Sequence, residues 1–71
     1  MVVNIEENIN IKNVTGLKKV SSHGNFDLYK NEKDEDHHLL AHKDTGEVHH
    51  GFHGKTKDVQ HFLKNYEFEG F

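Results

Sequence analysis

The 71-residue chain contains no cysteine, no proline and no tryptophan. Without cysteine it has no disulfide, no thiolate nucleophile and no cysteine-ligated zinc, so packing, a partner subunit or histidine-bound metal must stabilise it. No apolar run approaches the roughly 18 residues of a membrane span, and no basic segment precedes an apolar stretch at the N-terminus. We therefore expect a cytoplasmic protein with no spanning segment and no secretory signal.

Arginine is also missing, because all nine basic residues are lysines. The twelve acidic residues leave a formal net charge of −3 with the histidines neutral. Arginine supplies the bidentate contacts to phosphate and guanine on which many nucleic-acid binders rely. Nucleic acid is therefore a poor candidate partner, and an acidic surface favours a protein with a basic patch instead.

Length and composition predict a single small domain over residues 1–71. Valine, isoleucine, leucine and phenylalanine together account for 19 residues, above the share of about one fifth below which disorder is the rule. A domain of this size buries only about 60% of its unfolded surface, so its stability is marginal. It has little room for a closed pocket of several hundred Å3, and no nucleophile stands in a catalytic context. We expect a protein that is not an enzyme.

The hydrophobic pattern predicts antiparallel strands. Apolar residues alternate with polar ones over residues 3–11, and residues 6–8 interrupt the alternation, which predicts either two short strands or one bulged strand. Residues 17–22 suit either a strand or a helical turn. Residues 44–46, Asp-Thr-Gly, suit a three-residue hairpin whose glycine adopts the left-handed conformation. Three further strands are predicted over residues 26–31, 37–43 and 47–53.

The end of the chain predicts a helix from about residue 56 to residue 66. Thr56 suits the N-cap, and Asp58 falls in the first turn, where the helix dipole favours an acid. An apolar stripe follows at helical spacing: Val59, Phe62, Leu63 and Tyr66. The expected fold is α+β, a small antiparallel β-meander of three to five strands with one C-terminal α-helix packed on a face.

The hairpin register assigns the side chains of residues 37–53 to two faces. If Lys43 pairs with Glu47, alternation divides the apolar residues and the histidines between the faces. The face expected to meet the helix carries Leu40, Val48, Phe52, His38, His42 and His50. The opposite face carries Leu39, Ala41, His37, His49 and His53.

Eight histidines are the largest departure from ordinary composition. In the predicted register His37 and His53 lie directly opposite, with Cβ atoms about 5 Å apart, so both can contact one metal ion. A structural zinc needs four ligands and a catalytic zinc three plus water. Glu35 or Asp36 could supply a third ligand. No cofactor is required by the sequence, and zinc is the alternative that these histidines leave open.

The same histidines predict a response to pH. Burial disfavours the charged imidazole and lowers its pKa, so we expect lowered values for His38, His42 and His50 on the helix-facing side. Protonated His37 and His53 would also repel each other. Both effects predict that stability falls on acidification, beginning near pH 6.

Two partial resemblances define alternative functions. Asp36-His37-His38, a hairpin and a helix carrying His61 resemble the outline of a ββα-metal nuclease, which implies a metal-dependent phosphodiesterase site. Three strands followed by a helix over residues 20–66 are similar to small DNA-binding domains of the integrase arm-binding type. That likeness implies a three-stranded sheet that binds in the major groove.

The charged run between the predicted strands at residues 26–31 and 37–43 is the candidate protein-binding site. Asp34, Glu35 and Asp36 are expected to form an exposed loop that could contact a basic partner. Size, acidity and the absence of a catalytic constellation favour a small protein-interaction module, such as an inhibitor or accessory protein of a phage or mobile element. The sequence does not identify the partner, and it is compatible with a monomer or a dimer.

Overall fold

The computed structural model describes residues 2–65, which form one five-stranded antiparallel sheet and one α-helix. A short 3₁₀-helix, Ile11–Asn13, follows the first strand. The expected α+β fold, an antiparallel meander with one C-terminal helix, is confirmed. The strands are β1 (Val3–Ile5), β2 (Leu17–His23), β3 (Phe26–Asn31), β4 (His37–His42) and β5 (Val48–His53), and the helix is α1 (Thr56–Asn65).

The strand order is β1-β5-β4-β3-β2, so the last four strands form a consecutive meander and β1 pairs with the outer side of β5. The predicted break in the first strand is confirmed: β1 ends at Ile5, and Asn10 makes a separate antiparallel bridge to Glu47. The ambiguous segment after Gly16 is strand β2, which bulges at Val20.

The main core lies between the sheet and α1. The alternation of Phe26 and Leu28 in β3 directs both side chains to the helix, where they join Leu40 and Phe52 from β4 and β5. The helix contributes Val59 and Leu63, which are buried, and Phe62, which is partly buried. The predicted stripe is therefore confirmed for these three residues, while Tyr66 lies outside the described residues.

The hairpin turn and the helix start differ in how closely they match the sequence pattern. Gly46 has φ +78° and its N–H donates to the His42 carbonyl at 2.9 Å, as the predicted left-handed turn requires. Thr56 is not the N-cap, because the first helical hydrogen bond runs from the Val59 N–H to the Lys55 carbonyl. Thr56 instead begins the helix, and its hydroxyl bonds to His38.

A β-bulge corrects the predicted hairpin register. The pairs from His37–His53 to Leu40–His50 are as predicted, but Ala41 then faces Val48 and not His49. The extra residue shifts the alternation by one position. Val48 therefore lies on the Ala41 face, and the His49 ring lies against Phe26 on the helix face, the reverse of both assignments.

The opposite face of the sheet is also partly covered. Leu39 and Ala41 are buried although alternation directs them away from α1. The segment after β1 crosses this side, where the Glu7 side chain lies against Gly51 and His37. The result is a layered domain with the helix on one face of the sheet and the N-terminal segment on the other.

Phe52 is the best position at which to test this core, because its side chain is fully buried and its ring lies 5.6 Å from that of Phe62. We expect Phe52→Ala to cost about 3–5 kcal/mol, enough to unfold a domain of marginal stability, and Phe62→Ala to cost less because Phe62 is only partly buried. Urea unfolding monitored by circular dichroism measures both. Val3→Ala, at an exposed position, is the control and should change stability by less than about 0.5 kcal/mol.

Candidate interaction site

The loop between β3 and β4 presents the three predicted acidic residues, and all three are exposed. The Asn31 side-chain oxygen accepts hydrogen bonds from the backbone N–H groups of Lys33 at 2.8 Å and Asp34 at 3.1 Å. Asp34 also closes the turn: its carboxylate accepts from the N–H of Asp36 at 3.2 Å. These bonds fix the loop backbone, which sequence reasoning did not foresee.

The loop is also tied to the rest of the domain at its end. The Asp36 carbonyl accepts from the N–H of Gly54 at 2.8 Å, which joins the loop to the connection between β5 and α1. The Asp34 carbonyl accepts from the His37 N–H at 3.0 Å where β4 begins. The carboxylates of the loop are therefore held on a defined backbone while they remain in water.

Charge is concentrated in this loop. Residues 32–36 contain four carboxylates and one lysine, so they carry the same formal charge, −3, as the whole chain. Lys18 and Lys30 on the neighbouring strands border a shallow hollow beside Glu32 and Glu35. Asp34 and Asp36 lie outside that hollow, and neither forms an ion pair with a lysine of residues 2–65.

His37 and His53 pair directly across β4 and β5 as predicted, but each approaches a different carboxylate. His37 Nε2 lies 3.0 Å from Glu7 Oε1, and His53 Nε2 lies 3.9 Å from Asp34 Oδ2. Neither Glu35 nor Asp36 joins the pair. Within residues 2–65 no group of three or more histidine and carboxylate side chains is arranged to hold a metal ion.

The contact between Glu7 and Gly51 is a feature that the sequence did not reveal. A Cβ at Gly51 would lie 3.0 Å from Glu7 Cδ and 3.2 Å from Glu7 Oε2. That second oxygen is buried and has no hydrogen-bond partner among residues 2–65. A glycine inside a strand was the available signal, because such glycines often mark a close approach by another group. Gly51 therefore makes room for the segment that reaches His37.

Because the Glu7 side chain packs against Gly51, we expect the effects of substitutions at these two positions on stability to be non-additive. Gly51→Ala should lower the free energy of unfolding by about 1 kcal/mol, because the added methyl group displaces the Glu7 side chain. In Glu7→Ala the obstructing atoms are gone, so adding Gly51→Ala should cost little more. A double-mutant cycle in urea measures the coupling. Strictly additive losses would show that Gly51 does not accommodate Glu7.

His38 is the one fully buried histidine, and it joins the sheet to the helix. Its Nε2 lies 2.7 Å from the Thr56 hydroxyl, and its Nδ1 lies 3.3 Å from the Asp36 carbonyl. A neutral ring fits both partners, with Nδ1–H donating to the carbonyl and Nε2 accepting from the hydroxyl. Burial lowers the pKa of His38, as does the charge of Lys30 on β3, while the bond to the Asp36 carbonyl raises it.

The lowered pKa makes stability depend on pH with a definite sign. The unfolded chain binds a proton at His38 more readily than the folded one, so stability falls as pH drops below about 6.5. Thermal melts at pH 7.5, 6.5 and 5.5 measure this slope. We expect His38→Gln to make this slope shallower without abolishing it, because burial also lowers the pKa of His23 and His49. A wild-type melting temperature that is constant over the three values would contradict the assignment.

Three further histidines form a cluster of rings at the hairpin end of the sheet: His42, His49 and His50. His42 and His49 lie 4.6 and 4.8 Å from the Phe26 ring centre, and the His49 and His50 rings are 4.5 Å apart. Burial, followed by the charges of His50 and His42, lowers the pKa of His49. The predicted lowering is thus confirmed for His38, while His49 was missed because the bulge moved it to this face.

His23 on β2 is a third histidine with a lowered pKa. Burial lowers its pKa, and its Nε2 lies 2.7 Å from the Ser21 hydroxyl on the same strand. His61, in contrast, is exposed on α1 and lies 2.7 Å from the Asn65 side-chain nitrogen. His61 therefore does not meet His37 or His38, as the nuclease outline would require. The sheet also has five strands, and the N-terminal segment crosses the face opposite the helix, unlike the free three-stranded sheet of that DNA-binding class.

The helices within residues 2–65 are all too short and too polar to cross a membrane. No protein-family model, no curated protein and no solved structure matches this chain. The geometry of the described residues therefore carries the functional inference.

Proposed function

We propose that this protein is a small, non-enzymatic, cytoplasmic binding module that acts by covering a basic surface of another protein, as inhibitors and accessory proteins of phages and mobile elements do. The observation that carries the proposal is the β3–β4 loop. It holds the exposed carboxylates of Asp34, Glu35 and Asp36 on a backbone fixed by the Asn31 and Asp34 side chains.

A fixed loop supports binding because less conformational freedom is lost when a partner docks. Its charge supports rapid encounter with a basic surface, since electrostatic complementarity acts mainly on the association rate. The carboxylates of Asp34 and Asp36 accept no hydrogen bond from a lysine side chain in residues 2–65, although Asp34 approaches His53. They are therefore available to lysine or arginine side chains of a partner.

The test is a charge-neutralised loop. Asp34→Asn, Glu35→Gln and Asp36→Asn combined keep the shapes of the side chains, including the Asp34 oxygen that accepts from Asp36. We expect association with the partner, isolated by affinity capture, to slow about tenfold at low salt and to lose most of its salt dependence. Surface plasmon resonance at several salt concentrations measures both quantities.

A matched control removes the same charge elsewhere. Glu6→Gln, Asp44→Asn and Asp58→Asn combined neutralise three exposed acids outside the loop, and should leave the association rate within about twofold of wild type if steering is local to the loop. Equal slowing in both triple variants would mean that only net charge matters. An unchanged rate in the loop variant would remove the loop from the interface.

A further inference from the structure

A groove of about 570 Å3 lies beside the hairpin end of the sheet, between the N-terminal segment and β5. It is remote from the acidic loop, because the six-residue strand β4, roughly 17 Å long, separates the two. Its lining is half apolar and half polar. Ile9, Val14 and Val48 supply the apolar part, and Asn8, Asn13 and Glu47 are among the polar residues.

The groove is built by backbone hydrogen bonds between segments distant in sequence. The Val48 N–H donates to the Ile9 carbonyl at 2.9 Å, and the Ile11 N–H donates to the Gly46 carbonyl at 2.9 Å. Asn10 adds a side-chain bond, in which its Nδ2 donates to the Thr45 carbonyl at 3.0 Å. These bonds fix the position of the walls, so a ligand would meet a largely preformed site.

The apolar part of the groove is left in contact with water. Ile9 is 43% exposed, and only Val3 is comparably exposed among the large apolar side chains of residues 2–65. The bulge in β5 directs Val48 away from the helix-side core and toward this groove. Three aliphatic residues therefore line an open space that no described part of the chain fills.

The polar part is acidic and amide-rich. Glu47 is exposed and forms no ion pair with a lysine anywhere in residues 2–65. Asn8 and Asn13 also line this space, whereas the Asn10 side chain is occupied by hydrogen bonds to Thr45 and Lys12. The groove is thus lined by three aliphatic residues, three asparagines and one exposed glutamate.

We propose that this groove binds an arginine side chain of a partner protein. The aliphatic stem would lie on Ile9, Val14 and Val48, because long cationic side chains bury their methylene groups while the charge stays in water. The guanidinium would bind the Glu47 carboxylate in the bidentate arrangement, and its remaining N–H groups match amide oxygens.

The sequence of the protein itself excludes a second copy as the source of this ligand, because the chain contains no arginine. The occupant is therefore a different protein. The groove would give the partner a second contact besides the acidic loop. The two sites are tested separately. If the groove does not bind arginine, the loop proposal stands, and if the loop does not contact the partner, the groove proposal stands.

The probe is N-acetyl-arginine N-methylamide, titrated into the isotope-labelled full chain and followed by nuclear magnetic resonance. We expect saturable shifts of the Ile9, Val14 and Val48 methyl groups and of the Asn8 and Asn13 side-chain amides. Glu47→Gln should weaken binding about tenfold, because it removes the charge while keeping the shape. The neutral citrulline analogue should bind at least as weakly to the wild-type protein.

The neutralised loop variant, Asp34→Asn with Glu35→Gln and Asp36→Asn, is the control and should bind the probe with wild-type affinity. The proposal is overturned if the groove signals do not saturate, if shifts occur at the loop alone, or if Glu47→Gln binds as tightly as wild type. Equal affinity for the lysine analogue would overturn the assignment to arginine.

Discussion

The fold depends on burying β4 on both of its faces. Three apolar residues and one histidine in this strand are almost inaccessible to water: His38, Leu39, Leu40 and Ala41. A sheet with one helix can cover only one side of such a strand, so the chain needs a second layer. The N-terminal segment contributes to that layer through Glu7, which reaches across Gly51 to His37. The helix and the N-terminal segment are therefore coupled through the strand between them.

Much of this architecture could be read from local pattern. The alternation around Phe26 and Leu28, the Asp-Thr-Gly turn and the spacing of Val59, Phe62 and Leu63 are short-range signals, and each predicted the element found. The pairing of β1 with β5 could not be read in the same way, since it joins residues about fifty positions apart and no local pattern specifies such a partner.

The bulge shows why side-chain assignments were less secure than the strands themselves. Nothing around His49 marks an extra residue, yet that one residue exchanges the faces of His49 and Val48. The error affects the histidine cluster and the groove. It moves one histidine into the ring cluster beside Phe26 and leaves an aliphatic wall beside Glu47. The exposed acidic loop was predictable from charge, whereas its hydrogen-bonded turn depends on the side chain of Asn31.

The two edge strands of the sheet, β1 and β2, determine how readily other chains can pair with it. Exposed strand edges invite other chains to extend the sheet, which leads to fibrils or amorphous aggregates. Here β1 is only three residues long, and β2 is interrupted by a bulge and presents Lys18 and Lys19 to solvent. Short length, local twist and like charge all oppose edge-to-edge stacking. The edges of this sheet are therefore poor templates for the addition of strands from other copies of the chain.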